Sequence, residues 1–179
     1  MKIGMILREE YPPDIRVDKE MRMLRESGHH LHLLCYGIDG RKEDEHRDDG
    51  VIVRYIQPHK RRWRRRLDNW RFCFLFRSVL WENQITRFVQ DFTLEALHVH
   101  DLPLVGPAYH VAQQFGLPVV ADLHENYPSA VQYYYGSPLR KAVLYNHSRW
   151  TRYETRMCKA VARVLCVVEE SRELLGQHG

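Results

Sequence analysis

Two short apolar runs in this chain end on polar clusters of one kind, Leu97-His98-Val99-His100-Asp101 and Val120-Ala121-Asp122-Leu123-His124-Glu125. Imidazole titrates close to neutral pH, and carboxylates accept hydrogen bonds, exchange protons or hold cations. Together the clusters carry the side chains for acid–base work or metal binding. Alternation along an extended backbone puts His98 and His100 on one face with Val99 on the other, and puts Asp122 on the face of His124. From there Asp122 either orients the His124 imidazole or satisfies loop amides. His98 lies deeper in its run and reads as a packed, hydrogen-bonded histidine, whereas the role of His100 stays open. The spacing of these residues matches no metal motif, so no metal is expected.

Such clusters act only if neighbouring elements bring them together. In open α/β sheets, ligands bind outside the carboxyl ends of the strands, where loops present side chains that buried strand interiors cannot. The apolar period switches repeatedly between short runs and helical spacing, the pattern of βαβ units around a parallel sheet. It predicts strands at 2–7, 31–36, 51–56, 96–100, 118–123 and 162–168. A helix is expected near 16–27, stopped by Gly28, then one long helix over 68–91, a shorter one at 104–115 closed by Gly116, and another at 138–159 opened by Ser137-Pro138. Glu169 to Leu175 begins one more helix. The stretch 38–50, with Gly40 and Gly50, reads as a solvated turn region, Tyr127-Pro128 as a loop entry, and Tyr133-Tyr134-Tyr135-Gly136 as an aromatic loop tip. The expected fold is α/β, a Rossmann-like parallel sheet with helices on both faces.

Composition narrows the class. A chain of 179 residues with 28% charged residues fits one globular domain with a sizeable core. No run approaches the roughly 20 apolar residues of a membrane span. Lys2 to Leu7 reads as a first strand and not as a signal peptide, which makes the cytoplasm the expected location. Cys35, Cys73, Cys158 and Cys166 are far apart, so neither a disulfide framework nor a cysteine zinc site is indicated. The net charge of +4 is modest, but Lys60, Arg61, Arg62, Arg64, Arg65 and Arg66 crowd around Trp63. With Trp70, Phe72, Phe74, Phe76 and Trp81 following, this suits a surface that meets anionic headgroups while aromatic rings enter the interface. No nucleic-acid-binding spacing accompanies the patch, and nucleic acid is not an expected partner.

Taken in order, several motifs resemble glycosyltransferase family 4, the retaining nucleotide-sugar transferases of GT-B fold. They are Tyr11-Pro12-Pro13-Asp14-Ile15-Arg16, the segment from Glu20 to Leu33 with its Ser27-Gly28-His29 turn, His98-Val99-His100-Asp101-Leu102-Pro103, Pro118 to Glu125 with Tyr127-Pro128, and Val164 to Ser171. The resemblance implies that 1–179 is the N-terminal, acceptor-binding half of a two-domain enzyme. The donor-binding half, with its paired glutamates, would lie outside this chain, and the chain alone would be inactive. The implied partners are a glycan or lipid-linked acceptor and a nucleotide sugar as co-substrate, without cofactor, at the inner face of a membrane.

His124 matches the family histidine near the reacting bond. In a retaining transfer the leaving diphosphate can take the acceptor's proton, which makes His124 a positioning and electrostatic group. Asp101 resembles a position at the acceptor cleft, and Arg16, Asp122, Glu125 and Tyr127 are the further substrate-binding candidates. The first loop lacks the Gly-Gly pair of many members, and Arg16 would supply a cation there instead.

Two other classes compete. A metal-dependent hydrolase would gather His98, His100, Asp101, Asp122, His124 and Glu125 around an ion. A non-catalytic membrane module would use 60–81.

Overall fold

Apolar alternation in the short runs and helical spacing between them give a layered α/β domain in a computed structural model that describes residues 1–37, 44–57, 61–134 and 146–166. The described elements are β1 (Lys2–Glu10), α1 (Ile15–Glu26), β2 (His30–Tyr36), β3 (Asp44–His46), β4 (Ile52–Ile56), α2 (Arg62–Leu75), α3 (Val79–Phe92), β5 (Ala96–His100), α4 (Leu102–Phe115), β6 (Val119–Leu123), α5 (Tyr127–Tyr134), α6 (His147–Ala160) and β7 (Arg163–Cys166). The sheet runs β3-β4-β2-β1-β5-β6-β7, parallel throughout except for the antiparallel β3–β4 edge. The chain winds outward from β1 in both directions, so a topological switch point lies between β1 and β5, where open α/β sheets place ligands.

Each face of the sheet has its own core. On one face Met5, Leu33 and Val53 pack with Val17 and Met21 of α1. On the other, Ile6, Leu97, Val99 and Ala121 meet Ile85 and Phe88 of α3, Val105 and Ala108 of α4, and Trp150 and Tyr153 of α6. Burying side chains of this size contributes roughly 1.5–3 kcal/mol each, which explains why α3 is held firmly against the sheet. Gly106 lets α6 approach α4: its N–H donates to the Tyr153 hydroxyl at 2.8 Å, and a Cβ there would sit 2.5 Å from that oxygen.

Several sequence expectations are corrected. The long helix over 68–91 is two helices, because Phe76 adopts a left-handed φ of 52° and stacks on Tyr153 at 3.9 Å. Asp68 then caps the restart, accepting from the Ser78 hydroxyl and the Val79 N–H, both at 2.6 Å. Within 38–50 the chain forms β3, because Arg54 of β4 holds Asp44 through bonds of 2.7 and 2.8 Å. Tyr127 and Pro128 open helix α5 instead of a loop, with Asn126 accepting from the Ser129 N–H. The described part of the 138–159 helix begins at His147, capped by Asn146. Ser137, Pro138, Tyr135, Gly136, Lys60 and everything after Cys166 lie outside the described residues.

Candidate functional site

Register decides what gathers on the α1 face. Met5 pairs with His98, His98 with Val120, and His100 with Asp122, so the row that is apolar through Leu33 and Met5 turns polar at His98, and the next row toward the strand ends pairs His100 with Asp122. Glu20 reaches this polar patch from α1, three residues beyond the buried Val17 and therefore on the same helix face. Sequence reading did not assign Glu20 any chemistry. The signal was its place on the inward face of an amphipathic helix, visible only once Val17 and Met21 are known to be buried.

The result is a buried cluster of three imidazoles and two carboxylates. Asp122 Oδ2 lies 2.6 Å from His124 Nε2, 3.3 Å from His100 Nδ1 and 3.7 Å from His98 Nε2. Glu20 Oε2 lies 3.6 Å from His98 Nε2 and 3.8 Å from His100 Nε2, and its Oε1 is 3.8 Å from His124 Nε2. The rings of His98 and His100 stack at 4.8 Å, and those of His100 and His124 at 5.9 Å. Side-chain exposure is 1% at His100 and 2% at Asp122. Burial, reinforced by the charge of Asp122, pushes Glu20 up to about 7. Burial also raises Asp122, but the adjacent imidazoles of His100, His98 and His124 outweigh it and hold its carboxyl well below the usual range. Burial lowers His100. The Asp122 carboxylate, whose two roles the sequence leaves open, lies against the His124 imidazole.

At the carboxyl ends of the central strands lies a cavity of 620 Å³, lined by Arg8, Glu9, Arg16, Tyr36, Asp101, Pro103, Glu125 and Tyr127. Four of the expected substrate residues, Arg16, Asp101, Glu125 and Tyr127, share this lining. His124 and Asp122 do not; their side chains lie in the buried cluster. Arg8, Glu9 and Tyr36 were not singled out as site residues, although their places at the ends of β1 and β2 follow the same strand-end rule. Arg8 donates to the Tyr127 hydroxyl at 3.4 Å, and Arg16 pairs with Asp14 at 3.2 Å. Asp101 stands at the N-terminal end of α4 with a positive φ of 66° and no side-chain capping bond, and its N–H donates to the Asp122 carbonyl at 2.9 Å. Backbone strain of this kind concentrates at functional sites. Burial pushes the Asp101 carboxyl up, against the opposing charges of His124 and Arg16.

The third feature is α2. No residue of this helix is buried, and Trp63, Leu67, Trp70 and Phe74 form an exposed apolar stripe at helical spacing, with Trp63 57% and Trp70 65% exposed. Only the Phe72 side of α2 packs inward, while Trp81, on the next helix, is buried. Arg61, Arg62, Arg64, Arg65 and Arg66 are exposed around the stripe. Beside it Phe74, Leu75 and Phe76 share a cavity of 440 Å³ with Arg149, Arg152, Tyr153 and Arg156.

No helix among the described residues is long and apolar enough to cross a membrane. No curated protein matches the chain by sequence. Among solved structures, sucrose-phosphate synthase from Thermosynechococcus elongatus superposes with a TM-score of 0.69 at 11% identity, over 98% of this chain and 44% of that one. A trehalose 6-phosphate synthase from Burkholderia multivorans gives 0.54 at 15% identity, over 99% and 41%. UGT89C1 of Arabidopsis thaliana complexed with UDP gives 0.53 at 10% identity, over 92% and 41%. This chain therefore spans less than half the length of these three neighbours, whose likeness establishes the fold as that of one half of a GT-B glycosyltransferase. The glycosyl transferase 4-like domain model matches residues 14–179, from the cap of α1 onward, and the chain belongs to that family.

Proposed function

We propose that this domain binds the acceptor in a retaining transfer of sugar from a nucleotide-sugar donor held by a second domain, and that it is inactive alone. The observation that carries this reading is the cavity at the β1–β5 switch point, where Arg8, Arg16, Asp101, Glu125 and Tyr127 converge. Arginines and carboxylates around one opening suit a hydroxyl-rich ligand that carries, or approaches, a phosphate. His124 precedes Glu125 of the cavity lining and has its Nε2 against Asp122, so Nδ1 is the ring nitrogen it would offer a substrate. Its role is to position and to stabilise charge, and the leaving diphosphate accepts the proton.

The test is transfer by the complete natural protein from a panel of labelled nucleotide sugars to glycan and lipid extracts. The anomeric configuration of the product is compared with that of the donor. Retention is expected. Arg16→Ala and Asp101→Asn are expected to raise the acceptor KM about 10-fold or more, the size of one charge-assisted hydrogen bond. Inversion would remove the retaining mechanism, and an unchanged acceptor KM would remove the acceptor role.

A second observation, the exposed apolar stripe of α2 within its arginine cluster, favours a lipid-linked acceptor and docking on an anionic membrane. Each basic residue near such a surface contributes about 1 kcal/mol, and the rings add apolar burial. The arginines of α6 extend the same cationic surface.

A further inference from the structure

We infer that Glu20, His98, His100 and Asp122 form a binding site for one divalent first-row metal ion, zinc in the first instance. The site goes beyond the acceptor reading and does not depend on it. One donor atom from each of the four lies within 4.8 Å of every other; His98 Nε2 stands 3.6 Å from Glu20 Oε2 and 3.7 Å from Asp122 Oδ2, while His100 faces Asp122 Oδ2 through Nδ1 at 3.3 Å or Glu20 Oε2 through Nε2 at 3.8 Å and offers an ion one of the two. Two donors bound tetrahedrally to zinc at about 2.0–2.1 Å stand roughly 3.3–3.4 Å apart. Adjacent donors of an octahedral ion with bonds of about 2.1 Å would stand only about 3.0 Å apart. The shorter separations are nearer the tetrahedral set than the octahedral one, and the group, which spans up to 4.8 Å, would contract around the ion on binding.

A second, independent observation concerns hydrogen bonding. Glu20 Oε2, His98 Nε2, both ring nitrogens of His100, Asp122 Oδ2 and His124 Nε2 are buried without a well-aligned hydrogen bond, although Asp122 Oδ2 lies 2.6 Å from His124 Nε2. His98, His100 and Asp122 are each more than nine-tenths buried, and His98 Nε2 and His100 Nδ1 both face Asp122 Oδ2. Buried polar atoms are nearly always paired, and several orphans facing each other are costly unless something satisfies them together. Two carboxylates and two neutral imidazoles form a donor set that zinc accepts, and a dication offsets the buried negative charge. The expectation of no metal rested on spacing along the chain, but these donors come from α1, β5 and β6.

Four protein donors make a closed set, the mark of a structural centre. The ion would tie α1 to β5 and β6. His124 Nε2, 2.6 Å from Asp122 Oδ2, would then hold a metal-bound carboxylate from outside, so the ion fixes the imidazole that precedes Glu125 of the cavity lining. Hydrolytic chemistry is not required of it.

The test is metal content of the complete natural protein purified without chelator or added metal, by mass spectrometry, beside Glu20→Gln and His98→Gln variants and a His147→Gln control. Cobalt(II) reconstitution of the stripped wild type follows. The expected result is about one equivalent in wild type and control, lost in both cluster variants, and the intense visible bands of tetrahedral cobalt. Less than about half an equivalent after reconstitution without those bands overturns the site, as does full metal content in both variants. Because the readout is metal and not turnover, failure of the site leaves the acceptor assay intact.

Discussion

The cluster under β5 and β6 and the helix α2 invert the usual partition of polarity in opposite senses. In the first, three imidazoles and two carboxylates occupy a place on the α1 face where Met5 and Leu33 would otherwise be followed by more aliphatic side chains. In the second, Trp63, Leu67, Trp70 and Phe74 face outward from a helix that buries none of its residues. Single exposed apolar residues are ordinary, but a contiguous stripe is not, and a buried ionisable cluster is rarer still. Neither arrangement is what burial of apolar surface alone would select. They differ in how tightly the fold depends on them: the cluster is tied into three elements, while α2 rests on the domain along one edge.

That difference sets an order of effects. Asp122→Ala, which strips the common partner from three buried imidazoles, is expected to cost about 3–5 kcal/mol, measured by urea unfolding. A loss under about 1 kcal/mol would show that the cluster members are independent. His32 supplies the contrast within the interior. It stacks on Phe92 at 4.3 Å and has no carboxylate in ion-pair range among the described residues, and burial drops it to about 4. Between that value and the unfolded value of 6.5 the unfolded chain binds the extra proton, so stability should fall as pH drops through this window. The loss should be at most roughly 3 kcal/mol, and His32→Phe should abolish it.

Asp101→Gly should relieve the positive φ and raise stability by about 1 kcal/mol while weakening acceptor binding. Unfolding midpoints and acceptor KM separate the two effects. The smallest change in stability is expected for Trp63, Leu67, Trp70 and Phe74 replaced together by serine, within about 0.5 kcal/mol per site because none is buried. The same variant should lose sedimentation with anionic vesicles. Binding indifferent to lipid charge and salt would break the electrostatic account of this surface.

Much of this was legible in the sequence because it depends on local pattern. Strand-length apolar runs, the Gly28 and Gly116 stops and the strand-end residues Asp101 and Glu125 all sit where alternation and helical spacing put them. The break between α2 and α3 was not legible. The segment has continuous helical spacing, and the left-handed turn at Phe76 is held by Tyr153 and Trp150, residues far away in the chain. β3 escaped for a similar reason, since its hold on the sheet is the pairing of Asp44 with Arg54.

By itself, then, the sequence determined the α/β class, the parallel layering and the side of the sheet on which chemistry collects, because periodicity and turn residues act over a few positions. Tertiary structure alone decided that Glu20 joins His98, His100, Asp122 and His124, that the cavity takes Arg8 and Tyr36 among its walls, and that α2 turns its rings outward. Those outcomes depend on strand register and on which helix face finds a partner, and both are settled by contacts between residues distant in the chain.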